Sequence, residues 1–225
     1  MKKSLFVAAA ALMAFTTVQA QTSKYYDTKH EVGFTIGAGA STEIFSGLSD
    51  MTEIVLSAAV TSFVTGGMGT GYYSYGDESY IPAMSLEYYY HVNKVVGLGG
   101  YLAFNGMDRD MYAEWQNNVT GKKSKEKTGS AKRRNFSIMP TAKFDWLRMK
   151  YFGLYSKAGV GLSIMYESQK DETVEGGTDF SDTTLIPNIH ATLLGAEFGV
   201  PTIRGFLELG MGEQGILLAG LKYKF

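Results

Sequence analysis

The run His190-Ala191-Thr192, followed by Glu197, brings together a histidine, a hydroxyl and a carboxylate, the residue types that serve nucleophilic catalysis. Their spacing argues against that use. On an extended strand His190 and Thr192 share a face, and Glu197 falls on the other unless a bulge intervenes. His30 and His91 have no second histidine or carboxylate at ligand spacing, so no metal centre, no cofactor and no enzymatic activity are expected. The larger set is electrostatic. Glu31, Glu87, Glu197 and Glu208, with Lys143, Lys157, Lys222 and Lys224, each fall on the mixed face of an alternating segment. Gathered into one interior they would have to pair or stay hydrated, because an isolated buried ion is costly. A salt-bridged polar plug is therefore expected, with an ion-selective channel lined by the same charges as the alternative.

The elements that must position these residues are read from alternation. In the terminal run from Gly215, Leu217, Ala219, Leu221, Tyr223 and Phe225 share one face, while Leu218, Gly220, Lys222 and Lys224 share the other. The same period-two pattern predicts seven further strands: Glu31 to Ala40, Ile81 to His91, Val95 to Phe104, Asn135 to Trp146, Tyr151 to Tyr166, Leu185 to Phe198 and Arg204 to Met211. The sixth is irregular. Leu194, Ala196 and Phe198 claim one face, and Leu185, Ile189 and Leu193 the other. Either a bulge reconciles the halves, or Glu197 simply points inward with Asn188 and His190 at the wet outer rim; the second reading is preferred.

Short turns join strands two to three, four to five and six to seven. Long polar segments join one to two (Ser41 to Tyr80), three to four (Asn105 to Arg134) and five to six (Glu167 to Thr184); only the connection near Gly212 to Gln214 breaks the rule. Short periplasmic turns alternating with long external loops are the asymmetry of a transmembrane barrel. In that topology Tyr88, Tyr90, Phe144, Trp146, Phe152, Phe198, Tyr223 and Phe225 gather at the periplasmic end as an aromatic girdle. The expected fold is all-β, an eight-stranded antiparallel up-and-down transmembrane barrel. Within the first loop, Asp50-Met51-Thr52-Glu53 reads as a capping box before an apolar run to Val64, predicting a short helix. The same run also alternates, so a strand paired with Gly69 to Tyr75, and hence ten strands, is the alternative.

Met1 to Ala20 has the anatomy of a cleaved signal peptide: Lys2 and Lys3, an apolar stretch from Leu5 to Phe15, and the small-residue site Val18-Gln19-Ala20. Residues 21–225 then form one barrel domain. No later segment reaches the roughly 18 consecutive apolar residues of a spanning helix. The mean hydropathy of -0.07 suits a barrel whose apolar outer face averages with a polar lumen. The absence of cysteine excludes a disulfide framework, and a net charge of -1 argues against a nucleic-acid partner. A soluble β-sandwich or lipocalin-like barrel would put apolar residues inside; the charges concentrated on the mixed face favour the membrane.

The second loop is basic (Arg109, Lys122, Lys123, Lys125, Lys127, Lys132, Arg133 and Arg134 against four acids) and the third is acidic. They could neutralise one another, or the Lys122 to Arg134 run could bind lipopolysaccharide phosphates.

The alternating strands and terminal Phe225 resemble the small outer-membrane barrels of the OmpX and OmpA type. The runs Ser85-Leu86-Glu87-Tyr88-Tyr89-Tyr90, Gly205-Phe206-Leu207-Glu208-Leu209-Gly210 and Tyr223-Lys224-Phe225 are similar to barrel proteins common in Bacteroidota. The resemblance implies a monomer in a Gram-negative outer membrane, with lipid contacts and a C-terminal strand read by the barrel assembly machinery. Two functions follow as expectations: a non-enzymatic barrel whose loops make contacts or support envelope integrity, or a narrow channel for small solutes or ions.

Overall fold

The computed structural model describes residues 28–172 and 179–225. The expected signal peptide, Met1 to Ala20, lies outside the described residues. Eight strands close an antiparallel barrel in sequence order: β1 (His30–Ala38), β2 (Gly69–His91), β3 (Val96–Asn117), β4 (Lys123–Arg148), β5 (Phe152–Asp171), β6 (Phe180–Gly199), β7 (Ile203–Met211) and β8 (Leu217–Lys224). The seam is β1 on β8, where Glu31 faces Lys224 and Ala38 faces Leu217. It is locked at its lower end by reciprocal backbone bonds of 2.9 Å between His30 and Phe225. The tight turn after β2 is set by Asn93, whose side-chain oxygen accepts from the N–H groups of Val95 and Val96 at 2.8 Å each.

The strands are unequal. β1, β7 and β8 have 9, 9 and 8 residues, whereas β4 has 26. This corrects the expected loops. Asn105 to Arg134 is not a polar loop but the upper halves of β3 and β4, paired from Asn105↔Asn135 up to Gln116↔Lys123. Gly69 to Tyr80 likewise extends β2, so the additional pair of strands is not formed and the described residues hold eight. The upper half of β4 escapes a hydrophobic-period reading because both of its faces are polar; that of β3 does alternate, with Met107, Met111, Ala113 and Trp115 on one face, but around the charged Arg109 and opposite a partner that shows no period.

The helix in the first connection, α1 (Ser41–Val64), has 24 residues and starts well before the Asp50 capping box. Gly39, at φ 74, makes the turn out of β1 that a side chain would resist. The Glu43 carboxylate accepts from the Ala40 N–H at 3.1 Å, satisfying one of the free donors at the helix start. α1 runs alongside the free edge of upper β2. There Thr61 Oγ1 accepts from the Gly71 N–H (3.0 Å) and donates to its carbonyl (2.5 Å); Thr65 does the same for Gly69 at 3.2 and 2.6 Å. Two threonines one helical turn apart thus serve two strand residues that β1 is too short to reach.

β6 carries a register shift between Thr192 and Leu194 against β7, matched by one between Tyr155 and Lys157 against β5. Leu193 and Leu194 both face outward as a result. Glu197 does point inward, but through the bulge, and His190 is buried inside instead of lying at the outer rim. If the threonine hydroxyls hold α1 in place, Thr61→Val with Thr65→Val should cost about 1 kcal/mol per lost bond. Amide exchange at Gly69 and Gly71 should quicken while exchange at Tyr89 and Tyr101 stays slow.

Candidate functional site

Alternation sends every second side chain into a tube that, at eight strands, has room for side chains and little else. Glu31, Glu87, Lys143, Lys157, Glu197, Glu208, Lys222 and Lys224 all lie inside, together with Asp145 and Arg204, and each is at most 2% exposed. Five carboxylates meet five cations there. Space for them comes from small neighbours: a Cβ on Gly33 would sit 2.8 Å from the Glu87 side chain, and one on Gly153 2.9 Å from Glu197.

The pairs form two connected groups. In the upper one, Lys157 Nζ lies 2.6 Å from both Glu87 Oε2 and Glu208 Oε1. Glu208 also accepts from the Tyr155 hydroxyl at 2.6 Å and the Thr192 hydroxyl at 2.8 Å. In the lower one, Lys143 donates to both oxygens of Glu31 at 2.7 and 2.8 Å, and Lys222 approaches Glu31 at 3.0 Å. Lys224 and Arg204 both bond Glu197, the latter at 2.7 Å. Lys222 links the groups, donating to the Tyr155 hydroxyl at 3.1 Å. The Tyr155 ring lies beneath Lys143 and Lys222, 4.3 and 4.2 Å from its centroid, so its face as well as its hydroxyl stabilises cations. His91 sits between Glu31 (3.3 Å) and Asp145 (3.4 Å) at the lower end, where Arg204 also donates to the carbonyl of Met149 at 2.8 Å.

The catalytic constellation resolves differently from its sequence. The bulge does place His190, Thr192 and Glu197 on one face. Yet Thr192 bonds His190 at 3.0 Å and Glu208 at 2.8 Å, and all three residues are buried. A hydroxyl whose proton is committed to a carboxylate, with no room for a substrate, is a packing element. Among the described residues no group of His, Cys, Asp and Glu is arranged to hold a metal ion.

Asp145 shares the inward face of β4 with Lys143, two residues away, but nothing in its spacing groups it with the cations of other strands. Arg204, at a strand start, was missed, as was Glu213. That carboxylate belongs to the short turn after β7, which folds into the barrel mouth. It is fully buried and meets no cation among the described residues, accepting from Thr42 (2.8 Å), Asn135 (2.6 Å), Asn188 (2.5 Å) and Ser41. The brevity of this one external connection was its signal.

The aromatic set gathers at the lower end. Phe152 pairs with Phe198, Trp146 donates to Ser156 at 3.1 Å, and Phe144 lies opposite Val96 and Ser156. Phe225 stacks on His30 and Tyr223 at 5.2 and 5.5 Å, and the His30 ring bonds the Tyr88 hydroxyl at 2.8 Å with Tyr90 alongside.

Above, the basic run is laced across the strands. Lys125 pairs with Glu114 (3.2 Å), Lys127 with Asp110 (3.1 Å), Arg133 with Glu167 (3.2 Å) and Arg134 with Asp108 (2.7 Å). The Arg134 hydrogen bond holds Asp108 below the usual carboxylate range. Arg109 turns inward to Asp50 of α1 and lies 3.7 Å over the Tyr75 ring. Burial, with the hydrogen bond to Glu53, pushes the Tyr75 phenol up to about 12.

No protein-family model and no curated protein matches this chain. Among solved structures, Ail, the attachment invasion locus protein of Yersinia pestis, is similar over 88% of this chain and 97% of its own, at 11% identity and a TM-score of 0.38. A chain solved in work on the in-meso crystallisation of membrane proteins is similar over 70% of this chain and 82% of its own, at 11% identity and a TM-score of 0.16. Likenesses this distant leave the function to be read from the barrel's own geometry. The architecture is a closed eight-stranded antiparallel barrel.

The Lys157 pairing sets a clear expectation. Lys157→Met strands Glu87 and Glu208 in the lumen and should destabilise the barrel by about 3–5 kcal/mol. Adding Glu87→Gln and Glu208→Gln should recover much of that loss. Urea unfolding of the single and triple variants in lipid vesicles measures both.

Proposed function

We propose that this chain is a non-enzymatic integral barrel of a Gram-negative outer membrane, with a lumen that braces the wall and an external wall that makes surface contacts or supports envelope integrity. One observation carries the reading: the barrel is inside-out. Phe34, Ile36, Leu86, Leu98, Ile138, Val160, Leu162, Leu207 and Leu221 stand 48–67% exposed around the outside, while the ten charges within are at most 2% exposed. Water would drive the opposite arrangement. Lipid accepts this one, because a closed sheet leaves no unpaired backbone in the hydrocarbon. The apolar band is bounded by the aromatic girdle below and by the Asp108–Arg134 and Asp110–Lys127 pairs above, which supports membrane contact along the middle of the wall.

The filled lumen supports a brace over a channel. Contact with lipopolysaccharide phosphates rests on Lys122, Lys123 and Lys132, which carry no ion pair among the described residues; the rest of the basic run is largely neutralised by its cross-strand acids. Phe225, locked to His30 at the seam, is the residue through which the C-terminal strand would be read by the assembly machinery.

Two measurements test this. Val160→Arg should destabilise the barrel in vesicles by about 2–4 kcal/mol, the cost of a cation on a lipid-facing midplane site; on a water-facing wall the same change would be nearly neutral. Planar-bilayer recording should show no steady unitary conductance. Conductance that disappears in Lys143→Met and Lys222→Met variants would replace the brace with a channel.

A further inference from the structure

We infer that the barrel mouth is a binding site for one carboxylate, filled from within the chain by Glu213, and that a free monocarboxylate is the ligand class that fits the same seat. Lower in the lumen, Glu31, Glu87, Asp145, Glu197 and Glu208 are all held by cations. Glu213 is the exception, fully buried and with no cation among the described residues. Five neutral donors converge on it instead. Asn188 (2.5 Å) and the Ser41 hydroxyl reach Oε1, while Asn135 (2.6 Å), the Thr42 hydroxyl (2.8 Å) and Asn105 (3.4 Å) reach Oε2. The roughly four lone-pair sites of a carboxylate are thereby filled.

Seat and occupant come from different parts of the chain. The donors stand on α1, β3, β4 and β6, whereas the carboxylate arrives on the turn Gly212 to Gly215 between the short strands β7 and β8. Both ends of that turn are glycines at positive φ, 143° and 117°. A Cβ on Gly212 would stand 2.6 Å from His190 Nδ1, and one on Gly215 2.6 Å from the Ala38 carbonyl oxygen. The chain is bent at each end into a shape that other residues resist, which aims Glu213 into the mouth. Gln214 anchors the turn by donating to the Ser85 hydroxyl at 2.6 Å, and the Ser41 N–H donates to the Gly212 carbonyl at 3.0 Å. Glu213 therefore also secures the foot of α1.

The donor set fixes the ligand class. A planar monoanion matches a seat that bonds its two oxygens separately. A dianion such as phosphate would bring a second charge into a buried site that offers no cation. A halide has no two-oxygen edge. Ser41, Thr42 and Asn188 are only half-buried, so the seat lies one side chain below the surface of the mouth, within reach of a small solute. Because the donors are neutral, losing the carboxylate strands no buried charge, and the seat can bind reversibly.

Acetate carries the atoms that Glu213→Ala removes beyond Cβ, which makes the test direct. The Ile44 amide bonds the Ala40 carbonyl at 3.1 Å in the first turn of α1. In refolded Glu213→Ala protein its exchange should quicken about tenfold, the equivalent of one hydrogen bond to a charged group. Sodium acetate should restore the original exchange saturably, and sodium chloride or phosphate at equal ionic strength should not. Adding Asn135→Leu should abolish the restoration. Exchange at Tyr89, deep in the lumen, should ignore acetate, which separates binding at the mouth from general stabilisation. If the alanine variant refolds poorly, its refolded yield with and without acetate is the readout. No saturable acetate effect, an equal effect of chloride, or an effect that survives Asn135→Leu overturns the inference. Saturable stabilisation of the unsubstituted protein by calcium or potassium would also overturn it, since the asparagine oxygens would then be turned to a cation.

Discussion

Ten ionised side chains held in a narrow tube can persist only if each meets an opposite charge at short range. The lumen meets that condition by sharing: Lys157 serves two carboxylates, Glu31 and Glu197 each serve several cations, and Tyr155 joins the groups by both its ring and its hydroxyl. Shared pairing makes the wall cooperative, because strands far apart in sequence are tied through the interior. Glu31 on β1 meets Lys143 on β4, and Glu87 on β2 meets Lys157 on β5. Backbone bonds join each strand to its neighbours alone; the ion pairs cross the tube.

Other features follow from the need to fill that tube. Glycines opposite the largest side chains make room for them, and the β6 bulge keeps Thr192 and Glu197 inward on both sides of an apolar residue pair. The turn after β7 closes the mouth with Glu213, whose partners include the first two residues of α1. The helix is thereby held at its foot by the lumen's polar chemistry and near its head by two threonines on the β2 edge. What α1 leaves facing outward is consequently displayed on a fixed support.

The barrel was legible in the sequence because an apolar outer face and a charged interior impose a strict period of two. It was least legible where that contrast ends. Above the apolar band the β4 segment Lys123 to Arg134 is polar on both faces, so strand looks like loop. Asp50 looked like a helix cap because its real partner, Arg109, lies far along the chain. The β6 bulge was visible as two conflicting halves, but choosing it required the matching shift at Tyr155, a residue on another strand. Thr61 and Thr65 gave no signal, since a hydroxyl bridging a helix to a strand edge has no spacing of its own.

The central claim is that an apolar outer face meets lipid while ion pairs fill the interior. Spin labels at single cysteines on the outward face of β4, at Lys132, Ile138 and Ala142, and in the turn that follows it, at Met149, test it without disturbing the lumen. In vesicles, collision with an aqueous nickel reagent should be high at Lys132 and Met149 and low at Ile138 and Ala142, with oxygen showing the reverse. Uniformly high aqueous collision along the whole face would contradict the account.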